Sequence, residues 1–298
     1  MSSIFLIFLF NYSTFAKKQF ENKMKKNILV PTDFSEVCDN ALEHGIEIAK
    51  FFNYDLCILH VIDKNTKLYL KKNELDLNYI DNKLQNIASL ISDLHKLSVK
   101  TISREGSIFS TISNVAKEIK TNLIILGTHG KIGIQKLTGS YVLKVIASSP
   151  VPVIIVQKRK FDKEYNKIVF PVYVSHAFSQ KIQWAIYIAK QFKAKIHIFR
   201  IKESEKNIIK KLDKIIEETT QLFNTNNIDY ELSEASEEGN FAQQVINYSV
   251  SLRADLIMIK TNTDERLPAF ILGPWDEKII FNNSQIPVMC INPTDLFL

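Results

Sequence analysis

Two stretches of this chain repeat one another at a spacing of 140 residues, and the repeat constrains the fold more than any other feature. Residues 27–61 and 167–201 both run from an apolar strand, through a polar turn and an amphipathic helix, into a second apolar strand. Pro31 aligns with Pro171, Ser35 with Ser175, and Ala49-Lys50 with Ala189-Lys190. Further on, Glu105-Gly106 matches Glu238-Gly239, residues 123–126 match 256–259, and Pro152-Val153 matches Pro287-Val288. Two copies make a duplication rather than a solenoid. Each copy is long enough to bury its own core. The expected domains are 24–157 and 166–298, joined by a charged and exposed linker at 157–165 (QKRKFDKEY).

Within the first copy, apolar runs alternate with helical periodicity. Strands are expected at 27–32, 55–62, 99–104, 123–126 and 151–156. Helices are expected at 36–52 with Ser35 as N-cap, 74–97, 108–119 and 141–149, the last stopped by Pro150. Residues 63–73 read as a polar loop. Near-continuous apolar strands separated by helices predict an α/β fold with a parallel sheet covered on both faces. Ligands of such sheets sit at the carboxyl ends of the strands, where strand order reverses.

Two features fall at those ends. Asp33 follows the first strand, and a glycine-spaced loop (Gly127, Gly130, Gly133) follows the fourth and leads to Gly139-Ser140 at a helix start. Glycines let the backbone approach an anion, and free N–H groups with the helix dipole favour negative charge. Ser140 can serve as N-cap and phosphate contact at once. In the second copy Asp33 becomes Tyr173, Gly127 becomes Lys260, Gly130 becomes Thr263, and only Gly139 survives, as Gly273, followed by Pro274-Trp275. That proline removes an N–H where a phosphate would want donors. The second copy keeps the scaffold and loses the cradle.

Other chemistry is thinly represented. The three cysteines, Cys38, Cys57 and Cys290, form no CxxC pair, which suits small buried thiols in a reducing compartment. His129 has no partner carboxylate by sequence and reads as a loop residue near the phosphates rather than a general base. His44, His60, His95, His176 and His197 lack metal-ligand spacing, and no dedicated metal site is expected. The net charge of +6 comes from lysines scattered over amphipathic helices, with no nucleic-acid motif. An apolar run of seven residues, Ile4–Phe10, is too short to span a bilayer and lacks a basic stretch before it. Translation is expected to start at Met24, leaving 1–23 as an upstream over-extension with a genuine signal peptide or apolar leader as the alternative, and a cytoplasmic protein without a membrane partner is expected.

The sequence VPTDFS at 30–35, Glu105-Gly106 before a helix, Gly127-Thr-His-Gly130, Gly139-Ser140 and PVPVIIV at 150–156 stand in the order found in the universal stress protein family, and the resemblance extends over both copies from about Met24. The gap between Gly130 and Gly139 holds eight residues where the family pattern has nine, which shortens the loop. The resemblance implies two tandem doubly wound, five-stranded, mostly parallel sheets with strand order 3-2-1-4-5. It implies ATP or AMP as ligand, with Mg²⁺ arriving on the phosphates. Asp33 and Val61 would lie by adenine and ribose, and Gly127, Gly130, Gly139, Ser140 and the Tyr141 N–H would hold ribose and phosphates. Pro31, Thr32 and Leu126 flank these positions, and His129 and Lys131 lie on the loop beside the phosphates. The last strands, 151–156 and 286–291, would pair the two copies into a pseudo-dimer, with further homodimerisation as an option.

Three functions are then in competition: a nucleotide-binding stress-response protein, a dimerisation scaffold without nucleotide, and an enzyme of phosphoryl or nucleotidyl transfer. The third is disfavoured. There is no GxxxxGK[ST], no second acidic cluster for Mg²⁺, and no paired base and nucleophile.

Overall fold

A computed structural model of the chain describes residues 27–128, 139–162, 164–174, 178–237, 239–261 and 274–292. The first half holds β1 (Asn27–Pro31), α1 (Glu36–Phe52), β2 (Asp55–Ile62), α2 (Lys64–Lys72), α3 (Asn78–His95), β3 (Val99–Glu105), α4 (Ile108–Glu118), β4 (Leu123–Gly127), α5 (Gly139–Ser148) and β5 (Val153–Val156). The second half holds β6 (Lys167–Val172), α6 (Phe178–Phe192), β7 (Lys195–Arg200), α7 (Lys206–Thr225), β8 (Tyr230–Glu234), α8 (Phe241–Ser251), β9 (Leu256–Lys260), α9 (Pro274–Ile280) and β10 (Val288–Ile291).

The ten strands among the described residues form one sheet in the order β3-β2-β1-β4-β5-β10-β9-β6-β7-β8. Each half therefore has the order 3-2-1-4-5, as expected. Pairing is parallel within each half, as in Ile28 opposite Leu56 and Leu123, and Ile168 opposite Ile196 and Leu256. The two halves join through β5 and β10, which run antiparallel with Met289 opposite Ile154. An open sheet edge exposes unpaired N–H and C=O groups, and this pairing removes one such edge from each half. The inner strands are apolar on both faces because helices cover both faces: Ile28, Leu29, Leu56, Ile58, Ile124 and Ile125 have no exposed surface, whereas the edge strands β3 and β8 are polar and partly exposed.

Two sequence expectations are corrected. Residues 63–73 are not a loop, since Lys64–Lys72 is helical. Asp63 caps it, its Oδ1 accepting from the Thr66 N–H at 2.8 Å, and only Thr66 and Leu70, four residues apart, are buried. A single buried pair on a polar helix leaves almost no periodic signal. The following helix accordingly begins at Asn78 rather than at residue 74.

The linker is not a free exposed segment either. Asn40 Nδ2 donates to the carbonyls of Gln157 at 2.6 Å and Arg159 at 2.9 Å. The His44 ring bonds the Arg159 carbonyl at 3.1 Å and the Tyr165 hydroxyl at 2.9 Å, and both His44 and Tyr165 are buried. From the same segment Arg159 Nη1 donates to the Ala254 carbonyl at 2.8 Å, with Asp255 at 3.5 Å. The connection is thus strapped to α1 of one half and to the start of β9 in the other. Residues 1–23, expected to be an upstream over-extension, lie outside the described residues.

Candidate functional site

The turn after β1 is built by local hydrogen bonds. The Thr32 N–H donates to the Leu59 carbonyl at 2.8 Å, continuing the β1–β2 pairing past its end. Its Oγ1 accepts from the Phe34 N–H at 2.9 Å, and Asp33 Oδ1 accepts from the Ser35 N–H at 3.0 Å. These bonds hold Phe34 at φ 62°, a left-handed conformation that is rare for an aromatic residue. Ser35 occupies the N-cap position of α1 with its backbone, but its side chain makes no capping bond. The local anchor is Asp33, an Asx turn.

Beside this turn lies a crevice enclosing about 370 Å³, the solvent at its mouth included. Pro31, Thr32 and Asp33 form one wall, the end of β2 from Leu59 to Val61 a second, and Ile108 and Ile112 of α4 a third. It sits at the carboxyl ends of β1 and β2, next to the β1–β4 boundary where strand order reverses. Of the residues expected from sequence, the structure brings Pro31, Thr32, Asp33 and Val61 into this lining. Leu126 is fully buried within β4 and is not part of it. Tyr141 lies in the first turn of α5, partly exposed and also outside the lining. Gly139 and Ser140 open α5, as expected of a helix start. His129, Gly130 and Lys131, with Gly133, lie outside the described residues, as do His176, Thr263 and Gly273.

Gly127 has a packing role. A Cβ there would stand 2.5 Å from the Val37 carbonyl oxygen and 3.1 Å from the Cys38 nitrogen. The first turn of α1 presses directly on the end of β4, so only a residue without a side chain fits. The contact brings the Asp33 turn and the start of the glycine loop side by side.

His60 was not among the expected site residues, yet it lines the crevice. Its Nδ1 bonds the Thr32 carbonyl at 2.9 Å, its Nε2 lies 3.3 Å from Thr66 Oγ1, and the Phe34 ring stacks on it with centroids 4.6 Å apart. Thr66 in turn donates to Asp63 Oδ1 at 3.0 Å. Lys83 Nζ sits 4.2 Å from the Phe34 ring centroid, completing a His–Phe–Lys stack at the lip. The signal in the sequence was a single polar residue inside the apolar run DLCILHVI.

The electrostatics assign roles. Burial, reinforced by the Asp33 carboxylate, pushes the Cys38 thiol up to about 12, so it is neither a thiolate nor a nucleophile at neutral pH. Burial also raises Asp39, with Lys83 opposing and Asp33 adding to the shift. The Asp33 side therefore carries negative charge. An acceptor carboxylate there suits hydroxyl or amino donors and repels anions. Among the described residues, no group of three or more His, Cys, Asp or Glu is arranged to hold a metal ion.

The sequence model of the universal stress protein family matches residues 24–157. Universal stress protein MJ0531 of Methanocaldococcus jannaschii is 31% identical over 147 residues, covering 47% of this chain and 86% of the relative. The chain belongs to the universal stress protein family. Universal stress protein MJ0577 of the same organism is 30% identical over 158 residues, 46% of this chain and 97% of the relative. Over nearly the whole length, the fold is that of a universal stress protein from Archaeoglobus fulgidus, with a TM-score of 0.72 and 18% identity, covering 91% of this chain and 99% of that one. Among the described residues no helix is long and apolar enough to cross a membrane.

Proposed function

We propose that the first half of this universal stress protein binds one adenine nucleotide, ATP or AMP, and that occupancy rather than turnover carries a role in the stress response. The supporting observation is the crevice itself, which pairs an acceptor carboxylate, Asp33, with an apolar slot between Val61 and Ile112 at the strand-order reversal. In this reading the nucleoside enters between the Asp33 turn and α4, with Asp33 accepting from ribose hydroxyls or the base amino group. The phosphates run past Gly127 to the first turn of α5, and any Mg²⁺ is held by them. Cys38, beside the Asp33 turn, is kept as a thiol and so is removed as a nucleophile.

Binding only to the folded state would stabilise the chain by mass action, giving a signal that a partner can read. Titration calorimetry with ATP and AMP tests this: one equivalent per chain, with a matching rise in Tm, is the expected result. No heat and no thermal shift at millimolar nucleotide would favour the scaffold reading, which the direct β5–β10 pairing also supports.

A further inference from the structure

In each half the last strand is followed by one amide side chain, and each of those amides reaches into the other half. Gln157 follows β5, and its Nε2 donates at 3.0 Å to the Asn282 carbonyl, just past the end of α9. Asn292 follows β10. Its Nδ2 donates to the Ile146 carbonyl in the last turn of α5 and, at 3.3 Å, to the Ser149 carbonyl just beyond that helix. The two arrangements mirror one another across the β5–β10 pairing.

The last four carbonyls of a helix have no partner within it, and buried ones need a donor from elsewhere. Both bonds from Asn292 are buried, so here the second half supplies the donors that water would give an exposed helix end. The amide is itself oriented. Thr261, which has no exposed surface and follows β9, donates through Oγ1 to Asn292 Oδ1. The Thr261 N–H donates to the Ile291 carbonyl at 3.0 Å. With Oδ1 taken by the hydroxyl, Nδ2 faces the two carbonyls, which can only accept. The helix held in this way is the one that Gly139 and Ser140 open. It is a stiff rod of roughly 15 Å, so a shift at its Ile146 end is carried to its first turn.

We propose that Asn292 is a positioning residue for the nucleotide site. By fixing the C-terminal end of α5, it sets where the first-turn N–H groups stand and so how firmly they hold phosphate. This rests on the nucleotide reading of the first half, in which the phosphates meet that turn. The second half then contributes to the site without touching the ligand, a task that the loss of its own glycine loop does not remove. Gln157 does the same for α9, which opens with Pro274-Trp275 and has no glycine cradle to position.

The test is calorimetry on the full chain with ATP and with adenosine, which carries no phosphate. Asn292→Leu leaves two buried carbonyls unpaired. Asn292→Asp keeps the size and the acceptor for Thr261, removes only the donors, and serves where the leucine variant does not fold. ATP affinity is expected to fall about tenfold in either variant, with adenosine affinity within about twofold of the wild type. Gln157→Leu is expected to lower Tm and leave both affinities unchanged. Equal losses for ATP and adenosine would reduce Asn292 to a stabilising contact and overturn the proposal. So would unchanged ATP affinity, or an equal ATP loss in Gln157→Leu. A wild-type chain that binds neither ligand would sink the proposed function, and hydrogen exchange without nucleotide would then decide whether Asn292 holds α5. Amides of residues 143–148 should exchange at least about tenfold faster in Asn292→Leu, with those of β1 unchanged. Wild-type protection at 143–148 would rule the clamp out.

Discussion

The Tyr165 hydroxyl and His44 Nδ1 meet at 2.9 Å in the interior, one from the connection between the halves and one from α1. His44 Nε2 donates to the Arg159 carbonyl at 3.1 Å, and with burial holding the ring neutral Nδ1 is left to accept from the Tyr165 hydroxyl. Burial, with a further push from the Arg159 charge, brings its pKa down to about 4. The unfolded chain takes up this proton near pH 6.5 and the folded chain only near pH 4. Stability contributed by the neutral ring is therefore complete above about pH 6.5 and is lost as pH falls toward 4, by about 3 kcal/mol for this group. Urea midpoints across that range should fall steeply in the wild type and more gently in His44→Gln, which starts lower at pH 7. Parallel slopes would place the pH sensitivity elsewhere.

Across the junction of the halves, the Tyr54 and Tyr187 hydroxyls are 2.6 Å apart, and Phe51 and Phe52 pack on Phe192. Burial raises the pKa of both phenols, so both stay protonated at neutral pH. A cycle of Tyr54→Phe, Tyr187→Phe and the double variant should give a coupling of about 0.5–1.5 kcal/mol in thermal unfolding. Additive losses would mean that the hydroxyl pair does not join the halves energetically.

Gly127→Ala is expected to cost stability before any ligand is considered. Its Cβ would lie 2.5 Å from the Val37 carbonyl oxygen, which belongs to a helix backbone and cannot rotate away. Overpacking of this kind costs about 1–3 kcal/mol, measurable as a lower Tm without nucleotide. An unchanged Tm would leave the glycine to ligand approach alone.

Asp33→Asn keeps the side chain's size and can keep the turn, because an amide oxygen also accepts from the Ser35 N–H. What it loses is the charged acceptor in the crevice. Affinity for ATP and AMP is expected to fall about tenfold or more with little change in Tm. Unaltered affinity would exclude Asp33 from ligand contact.

The strands were legible because burial on both faces leaves unbroken apolar runs such as LIIL at 123–126 and VIIV at 153–156. Strand pairing between the halves followed from the resemblance, not from any pattern in the residues. The strapped connection was illegible for a physical reason: Asn40 and His44 recognise backbone carbonyls of Gln157 and Arg159, and a carbonyl looks the same whatever residue carries it. His60 was not expected at the site because a lone histidine in a strand is equally consistent with core packing. Gly127 was read as an approach to phosphate, and its contact with Val37 shows a second demand on the same position.

The account turns on where a nucleotide goes. A crystal of the full chain soaked with ATP should show difference density in the first half, with the nucleoside between Asp33, Val61 and Ile112 and the phosphates beyond Gly127 toward α5, and none around Tyr173 and Trp275. Density in the second half and an empty first crevice would contradict it.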